Sequence, residues 1–292
     1  MIARLAGIIL PVFLIAGVGY AWGRIARPDM RTVNRVSIEL LAPALIFYAL
    51  SSPQYDLRAS APLMLASVGV VLGSGLLAWP VARAVRVDLR TFLPTSMFNN
   101  CGNMGLPLAS LAFGTAGFSS MVALFTISNL LQFTIGVWIV DRHANVGKLL
   151  RTPMVIATFA GFAFAIVRPT LPAWLTAAIQ MTGNALIPLM LIALGVRLTG
   201  LGRGDWVLGV VGGATCAITG LITAAILVAA LGLHGDQAGL LYLFGCLPPA
   251  VLNFMVAEQF NQEPGKVASI VLVGNLLALV FVPIGVFLAL RA

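Results

Sequence analysis

Ten stretches of 16 to 26 mostly apolar residues follow one another along this chain, at 5–22, 36–51, 60–82, 92–113, 117–140, 153–168, 174–196, 206–231, 238–259 and 267–290. About 20 apolar residues in a helix cross the hydrocarbon core of a bilayer, where no water is present and only a helix or a closed barrel satisfies its own backbone. Runs of that length, joined by short polar segments, predict an all-α integral membrane protein of ten transmembrane helices whose solvent is the lipid bilayer. Composition agrees: 60% of the 292 residues are hydrophobic and 9% charged, at a mean hydropathy of +1.02, outside the range of soluble domains. The runs at 36–51 and 153–168 are short and fit a membrane only if neighbouring protein covers their ends. The first run follows a single arginine and lacks a clean small-x-small cleavage site, so it reads as a span rather than a removable signal peptide.

Lysine and arginine outnumber aspartate and glutamate by 17 to 9, and the positions of the cations explain the excess. Joints after the first, third, fifth, seventh and ninth runs hold Arg24, Arg27, Arg31, Arg35, Arg83, Arg86, Arg90, Arg142, Lys148, Arg151, Arg197, Arg203 and Lys266, 13 in all; the opposite side holds Arg4, Arg58, Arg168 and Arg291. Basic residues stay preferentially on the cytoplasmic face. The asymmetry predicts a multi-pass protein of the cell (inner) membrane with both termini on the non-cytoplasmic side. Topology thus accounts for the charge, and no basic patch interleaved with aromatics supports nucleic acid as a partner. Cys101, Cys216 and Cys246 lie in apolar runs with no CxxC or Cys/His spacing, and His143 and His234 fall in predicted loops. Neither a disulfide, a metal nor any other cofactor is expected.

Phrases recur at about half the chain length. ALFTISNLLQF (123–133) and SIVLVGNLLAL (269–279) align Asn129 with Asn275, 146 positions apart; ELLAPALIFYAL (39–50) and NALIPLMLIALG (184–195) align Pro43 with Pro188, 145 apart; Arg27-Pro28 returns as Arg168-Pro169, 141 apart. The chain therefore reads as two five-helix repeats, 1–142 and 143–292. After an odd number of crossings the second copy enters the membrane from the other side, so the repeats are inverted, an arrangement that points to an alternating-access transporter.

Two runs contain what lipid disfavours. NNCGNMGLPL (99–108) places Asn100, Asn103, permissive glycines and the helix-breaking Pro107 inside the fourth run, and GCLPPAVLNF (245–254) places Pro248, Pro249 and Asn253 inside the ninth. Non-helical backbone survives in a membrane only inside protein or beside a cavity. Interrupted helices at matching places in two halves mark a transporter's binding site, and their inner N-termini suit a carboxylate. The asparagine amides would bind substrate or cap the broken backbone. A proline kink with asparagines tying neighbouring helices is the plainer alternative, and it explains one such run more readily than two.

With these residues in view, essentially the whole chain resembles the auxin efflux carrier family, in its bacterial form. NRVSIELLAPALIFYALSS (34–52), NCGNMGLPLASLAFG (100–114), GKLLRTPMVIATFAGF (147–162), NALIPLMLIALGVRL (184–198) and LPPAVLNFMVAEQFNQEPGKVASIVLVGNLLAL (247–279) carry the resemblance. It implies a fold similar to the bile-acid sodium symporters, with helices four and nine crossing at their prolines. It also implies a scaffold of helices one, two, six and seven, often a homodimer interface, and a moving domain of helices three to five and eight to ten working by an elevator motion. Family substrates are small organic anions, auxin in plants and dicarboxylates such as malonate or malate in bacterial members. By motif position Asn100 lies beside the substrate, with Pro107 and Pro248 at the crossing. Plant members tend to carry proline in place of Asn253 and lysine in place of Glu258, and many have a long cytoplasmic loop where this chain has about a dozen residues.

Glu39 and Glu258 are the carboxylates inside the predicted spans. A carboxylate buried in a membrane suggests a proton or ion site, and Glu258-Gln259 resembles a pair near a sodium site of the bile-acid symporters. Both also lie near cytoplasmic helix ends, where a solvated side chain is the simpler reading, so proton or sodium coupling stays open. Ser128, Asn129, Gln132 and Thr134, with Asn275, either line a site beside the crossing or tie helices together. An enzyme is disfavoured: GRGDW (202–206) is similar to the GxGD of intramembrane aspartyl proteases, but no predicted span holds an aspartate, and HExxH and GxSxG are absent. The expectation is a secondary-active or facilitative carrier of small organic anions, auxin-like or mono- and dicarboxylates. The alternative is a channel or ligand-sensing receptor, since broken helices also line pores.

Overall fold

A computed structural model describes residues 2–52, 55–143, 147, 151–200 and 205–292. Among these, all regular structure is helical. In chain order the elements are α1 (Ile2–Ala26), α2 (Arg31–Ser51), α3 (Leu57–Ala84), α4 (Leu89–Met97), α5 (Cys101–Val140), α6 (Pro153–Val167), α7 (Ala173–Leu198), α8 (Trp206–Leu231), α9 (Asp236–Gly245), α10 (Val251–Gln259) and α11 (Pro264–Ala289). Seven of them, α1, α2, α3, α5, α7, α8 and α11, are long and apolar enough to cross a membrane. Scarce acidic residues start several helices: the carboxylates of Asp56, Asp88 and Asp205 accept from backbone N–H groups of Arg58, Arg90 and Leu208 at 2.9, 2.9 and 3.0 Å, satisfying donors that a helix leaves orphaned at its first turn.

The outer surface is what lipid requires. Leu14, Leu76, Ile166 and Val207 point outward with more than half their area uncovered by protein, which is disfavoured in water and costs nothing in hydrocarbon. Trp22, Trp79, Trp138, Trp174 and Trp206 are exposed near helix ends, as an aromatic belt at the headgroup level demands. The guanidiniums of Arg83 and Arg142 lie over the rings of Trp79 and Trp138 at 4.4 and 5.3 Å, charged head beside an amphipathic ring.

Inside, backbones approach closely through glycine. A methyl group at Gly195 on α7 would overlap the Ala16 carbonyl of α1, and one at Gly19 would overlap the Ile192 carbonyl. On the other side of the molecule, Gly213 of α8 faces Gly274 of α11, and Gly220 of α8 faces Gly245 of α9. Helices in lipid gain no hydrophobic drive from one another, so such small-residue contacts, dense in dispersion, are what hold them together.

Several boundaries differ from the sequence expectation. The predicted fourth run is α4 followed, after a gap, by the start of α5; the ninth is α9 and α10; the seventh is α7, offset at Ala185. Gly114 adopts φ 67° and ψ −155°, a conformation essentially reserved for glycine, and divides α5 where the fourth and fifth runs were expected to part. Pro107 does not sit at the break. It lies buried in the second turn of α5, just past a wide π-helical turn over Cys101–Gly105 in which Asn100 O accepts from both Met104 N and Gly105 N, at 3.0 and 3.3 Å. That widened turn makes room for the ring, so the proline sits within α5 instead of interrupting it. Arg197 belongs to the last turn of α7 rather than to a loop. Lys148, Arg203 and the first three residues of GRGDW lie outside the described residues.

Candidate functional site

The gaps between α4 and α5 and between α9 and α10 meet. Phe98–Asn100 and Pro248–Ala250 run antiparallel as two short extended pieces: Asn100 N donates to Pro248 O at 2.7 Å, Ala250 N donates to Phe98 O at 2.9 Å, and Asn99 pairs with Pro249 as an isolated bridge. Each broken helix thereby satisfies the other's stranded backbone, which in a membrane is the condition for the break to exist. Pro248 and Pro249, unable to donate, leave their carbonyls as acceptors.

Asparagines complete the crossing from both halves. Asn253 Nδ2 donates to Phe98 O at 2.9 Å while its Oδ1 accepts from Gln132 Nε2 at 2.8 Å. Asn100 Nδ2 donates to Asn275 Oδ1 at 2.8 Å, and Asn275 Nδ2 donates to Pro249 O at 3.0 Å and to Val271 O at 2.8 Å. All four amides are nearly fully buried. Asn275 and Gln132 therefore tie α11 and α5 to the crossing, and Asn253 serves there as scaffolding.

Beside the crossing lies a cavity of about 110 Å³, enough for a few waters or part of a small solute. Asn99, Asn100, Cys101, Gly102 and Asn103 from the first gap line it, with Ala250, Val251 and Leu252 from the second, Phe125, Ser128, Asn129 and Gln132 from α5, and residues of α2, α6 and α7 opposite. The N-termini of α5 and α10 thus both face it, each presenting orphaned N–H groups and a partial positive charge. Three buried polar atoms on its wall have no partner among the described residues: Ser37 Oγ, Asn99 Oδ1 and Asn129 Nδ2. Unsatisfied buried polar groups are costly and few in native proteins, so three around one cavity indicate a solute or water that completes them. Among the described residues, Arg197 is the one charged side chain on this wall.

A second cavity, about 700 Å³, adjoins the first and shares Asn34, Ile38, Leu194, Arg197, Val251 and Met255 with it. It reaches exposed residues of the α1–α2 joint, Asp29 and Arg31, and Gly200 beyond α7. Its charges include Arg31 paired to Asp29 at 3.2 Å, Arg35 paired to Glu39 at 3.1 Å, Arg197 and Glu258.

Of the residues read from the sequence, Asn100, Asn103, Ser128 and Asn129 line the smaller cavity, and Glu39 and Glu258 the larger. Glu39 is spent on Arg35, with about half its side chain uncovered, whereas Glu258 is exposed, lines the cavity and has no ion pair among the described residues. Pro248, Pro249 and Asn253 build the crossing without lining either cavity, and Pro107 does neither. Thr134 Oγ1 donates to Leu130 O at 2.6 Å, back onto its own helix. Sequence reading missed Asn34, Ser37 and Asn99 as lining groups, and above all Arg197. Its position at the end of an apolar run makes it look like one more topological cation; the available signal was a single arginine two residues behind the ALG of a repeat phrase.

The sequence is similar to those of known proteins. The family model described as membrane transport protein matches twice, over residues 6–148 and 145–286. A protein of Rhizobium meliloti named "Putative malonate transporter" is 25% identical, over 94% of this chain and 93% of its own length. One from Methanothermobacter thermautotrophicus, named "Uncharacterized transporter", is 24% identical over 94% and 95% respectively.

Proposed function

The chain belongs to the membrane transport protein family, and on that premise we propose that it is a secondary-active or facilitative carrier of small organic anions, dicarboxylates of malonate size foremost, working by alternating access. One observation carries the reading: two broken helices pair through their unwound backbone and turn both inner N-termini, with three unsatisfied polar atoms, onto one small cavity. Oriented N–H groups in a low-dielectric pocket favour a carboxylate over a cation or an apolar solute. The relative named for malonate supports the size and charge class.

The two matches of the family model, one per half, support a division into repeats 1–142 and 143–292, and the reciprocal hydrogen bonds of the crossing support their inverted, ten-span arrangement. In this reading α1, α2, α6 and α7 form a scaffold that pairs with a second copy, and the remaining helices carry the site past it as an elevator. Distribution of arginine and lysine supports an inner-membrane protein with both termini on the non-cytoplasmic side. The larger cavity then opens inward, since the α1–α2 joint lies on the basic side. Coupling to a proton or sodium would use Glu258, the carboxylate of that cavity without an ion pair among the described residues, with Ser128 and Asn129 lining the passage.

Radiolabelled malonate counterflow in proteoliposomes tests the carrier against the channel or sensor. Saturable uptake accelerated by unlabelled malonate inside is expected, with loss of at least tenfold in Asn100→Ala. Flux that neither saturates nor shows counterflow would mean a pore, and binding without flux a receptor.

A further inference from the structure

Arg197 is the charge that the crossing does not explain. Of the three arginines lining the larger cavity, Arg31 and Arg35 each close an ion pair with a neighbouring carboxylate, at 3.2 and 3.1 Å. The third, Arg197, makes no side-chain hydrogen bond and no ion pair with any described residue; Glu258 lines the same cavity without reaching it. Arg197 is partly buried and lines the junction of the two cavities together with Asn34, Ile38, Leu194, Val251 and Met255, a wall that is mostly apolar. A cation kept only for topology belongs in water or among headgroups, and an unpaired one against aliphatic walls is costly. Its donors form a planar fork that fits a carboxylate through two parallel hydrogen bonds.

We propose that Arg197 is the anion-selecting residue of this transport site, its guanidinium binding a substrate carboxylate between the larger and smaller cavities, with Glu258 as its counter-ion when no substrate is bound. This rests on the carrier reading above and adds to it. Helix N-termini at the crossing supply only partial charges and take one carboxylate; Arg197 supplies the full charge that a second carboxylate needs, so the pair selects a dianion over a monoanion. It also sits on α7, across the cavity from the crossing, so a bound dianion spans the two faces.

The test is thermal stabilisation of the purified full-length protein in detergent by malonate, its monoamide and its neutral diamide, for wild type, R197Q, R197K and E258Q. R197Q is expected to raise the apparent Kd for malonate about tenfold or more and to bring it level with the monoamide. R197K retains part of the preference, since the charge stays and the fork goes. In E258Q, where the competing carboxylate is gone, malonate binds more tightly. R197Q that binds malonate as wild type does overturns the assignment while leaving the carrier reading in place. E258Q that weakens malonate overturns the counter-ion role, and it remains measurable if R197Q fails to fold. A wild type that responds to no carboxylate overturns the organic-anion reading itself, and the role of Arg197 with it.

Discussion

At the scale of single residues, this chain uses its few amides to do what water does elsewhere. Asn275 accepts from Asn100 and donates to the Pro249 and Val271 carbonyls, so its removal strands a buried donor on one half and an acceptor on the other. Such orphans cost about 1–3 kcal/mol, toward the lower end inside membranes. Asn275→Ala is expected to lower the melting temperature by several degrees and, because Asn100 loses its anchor, to weaken malonate binding as well; a variant as stable and as tight as wild type would refute the hub role. A different logic holds at the surface. Glu263 is bonded to Lys266 and accepts from Thr91 Oγ1 at 2.7 Å, which together hold its carboxyl below the ordinary 4.5. A depressed folded pKa means stability that is present above the unfolded value and is lost as pH falls through the folded one. The melting-temperature advantage of wild type over Glu263→Gln should therefore be full at neutral pH and vanish in acid below that ordinary value; a gap that persists unchanged there would contradict the assignment. Asn129 and Asn275 were legible because the repeat aligned them. Arg197 was not, because a sequence cannot say whether a cation at a helix end turns outward to headgroups or inward to a cavity.

At the scale of elements, composition predicts that a helix breaks more reliably than where. The residues NNCGNMGLPL announce an interruption, but asparagine-rich Phe98–Asn100 takes the extended geometry while Pro107 is absorbed by the π-helical turn before it. The twin prolines at 248 and 249 mark their break directly, since the second removes any donor from the bridge. Gly114 is the opposite case, a residue with nothing in its environment to clash with a methyl, whose φ of 67° and ψ of −155° forbid one all the same. Gly114→Ala should cost about 1–3 kcal/mol through backbone strain alone, read as a lower melting temperature, whereas Gly265→Ala, equally open in space and at ordinary helical φ, should be neutral or slightly stabilising. Equal melting temperatures for the two variants would mean that α5 turns for some other reason. The α1–α7 contact makes the converse point: Gly195 has ordinary dihedrals and no room, so its role is legible only once the Ala16 carbonyl is placed against it.

For the whole molecule, the repeat in the sequence and the crossing in the structure bear on one question, whether the site moves. Pairing between the gaps binds α4, α5, α9 and α10 into one unit, with Asn275 adding α11, while α1 and α7 interlock through Gly19 and Gly195 into another. The cavities lie where these units face each other, so sliding one past the other would carry the bound solute without breaking the crossing. That is a statement about two bodies, and apolar periodicity could not contain it: membrane helices look alike whichever neighbour they choose. Met30 of the α1–α2 joint and Ala268 of α11 both line the larger cavity, one on each unit, and both are partly exposed. The three native cysteines are buried, leaving thiols introduced at these two positions to react first. A Met30→Cys/Ala268→Cys double variant joined by a bifunctional thiol reagent that spans the cavity should still be stabilised by malonate, since the smaller cavity is intact, and should lose nearly all counterflow, since the units no longer slide. Reduction of a cleavable linker should restore transport. Counterflow at the wild-type rate in fully crosslinked protein would instead place the motion within the crossing unit, most simply at the Gly114 turn.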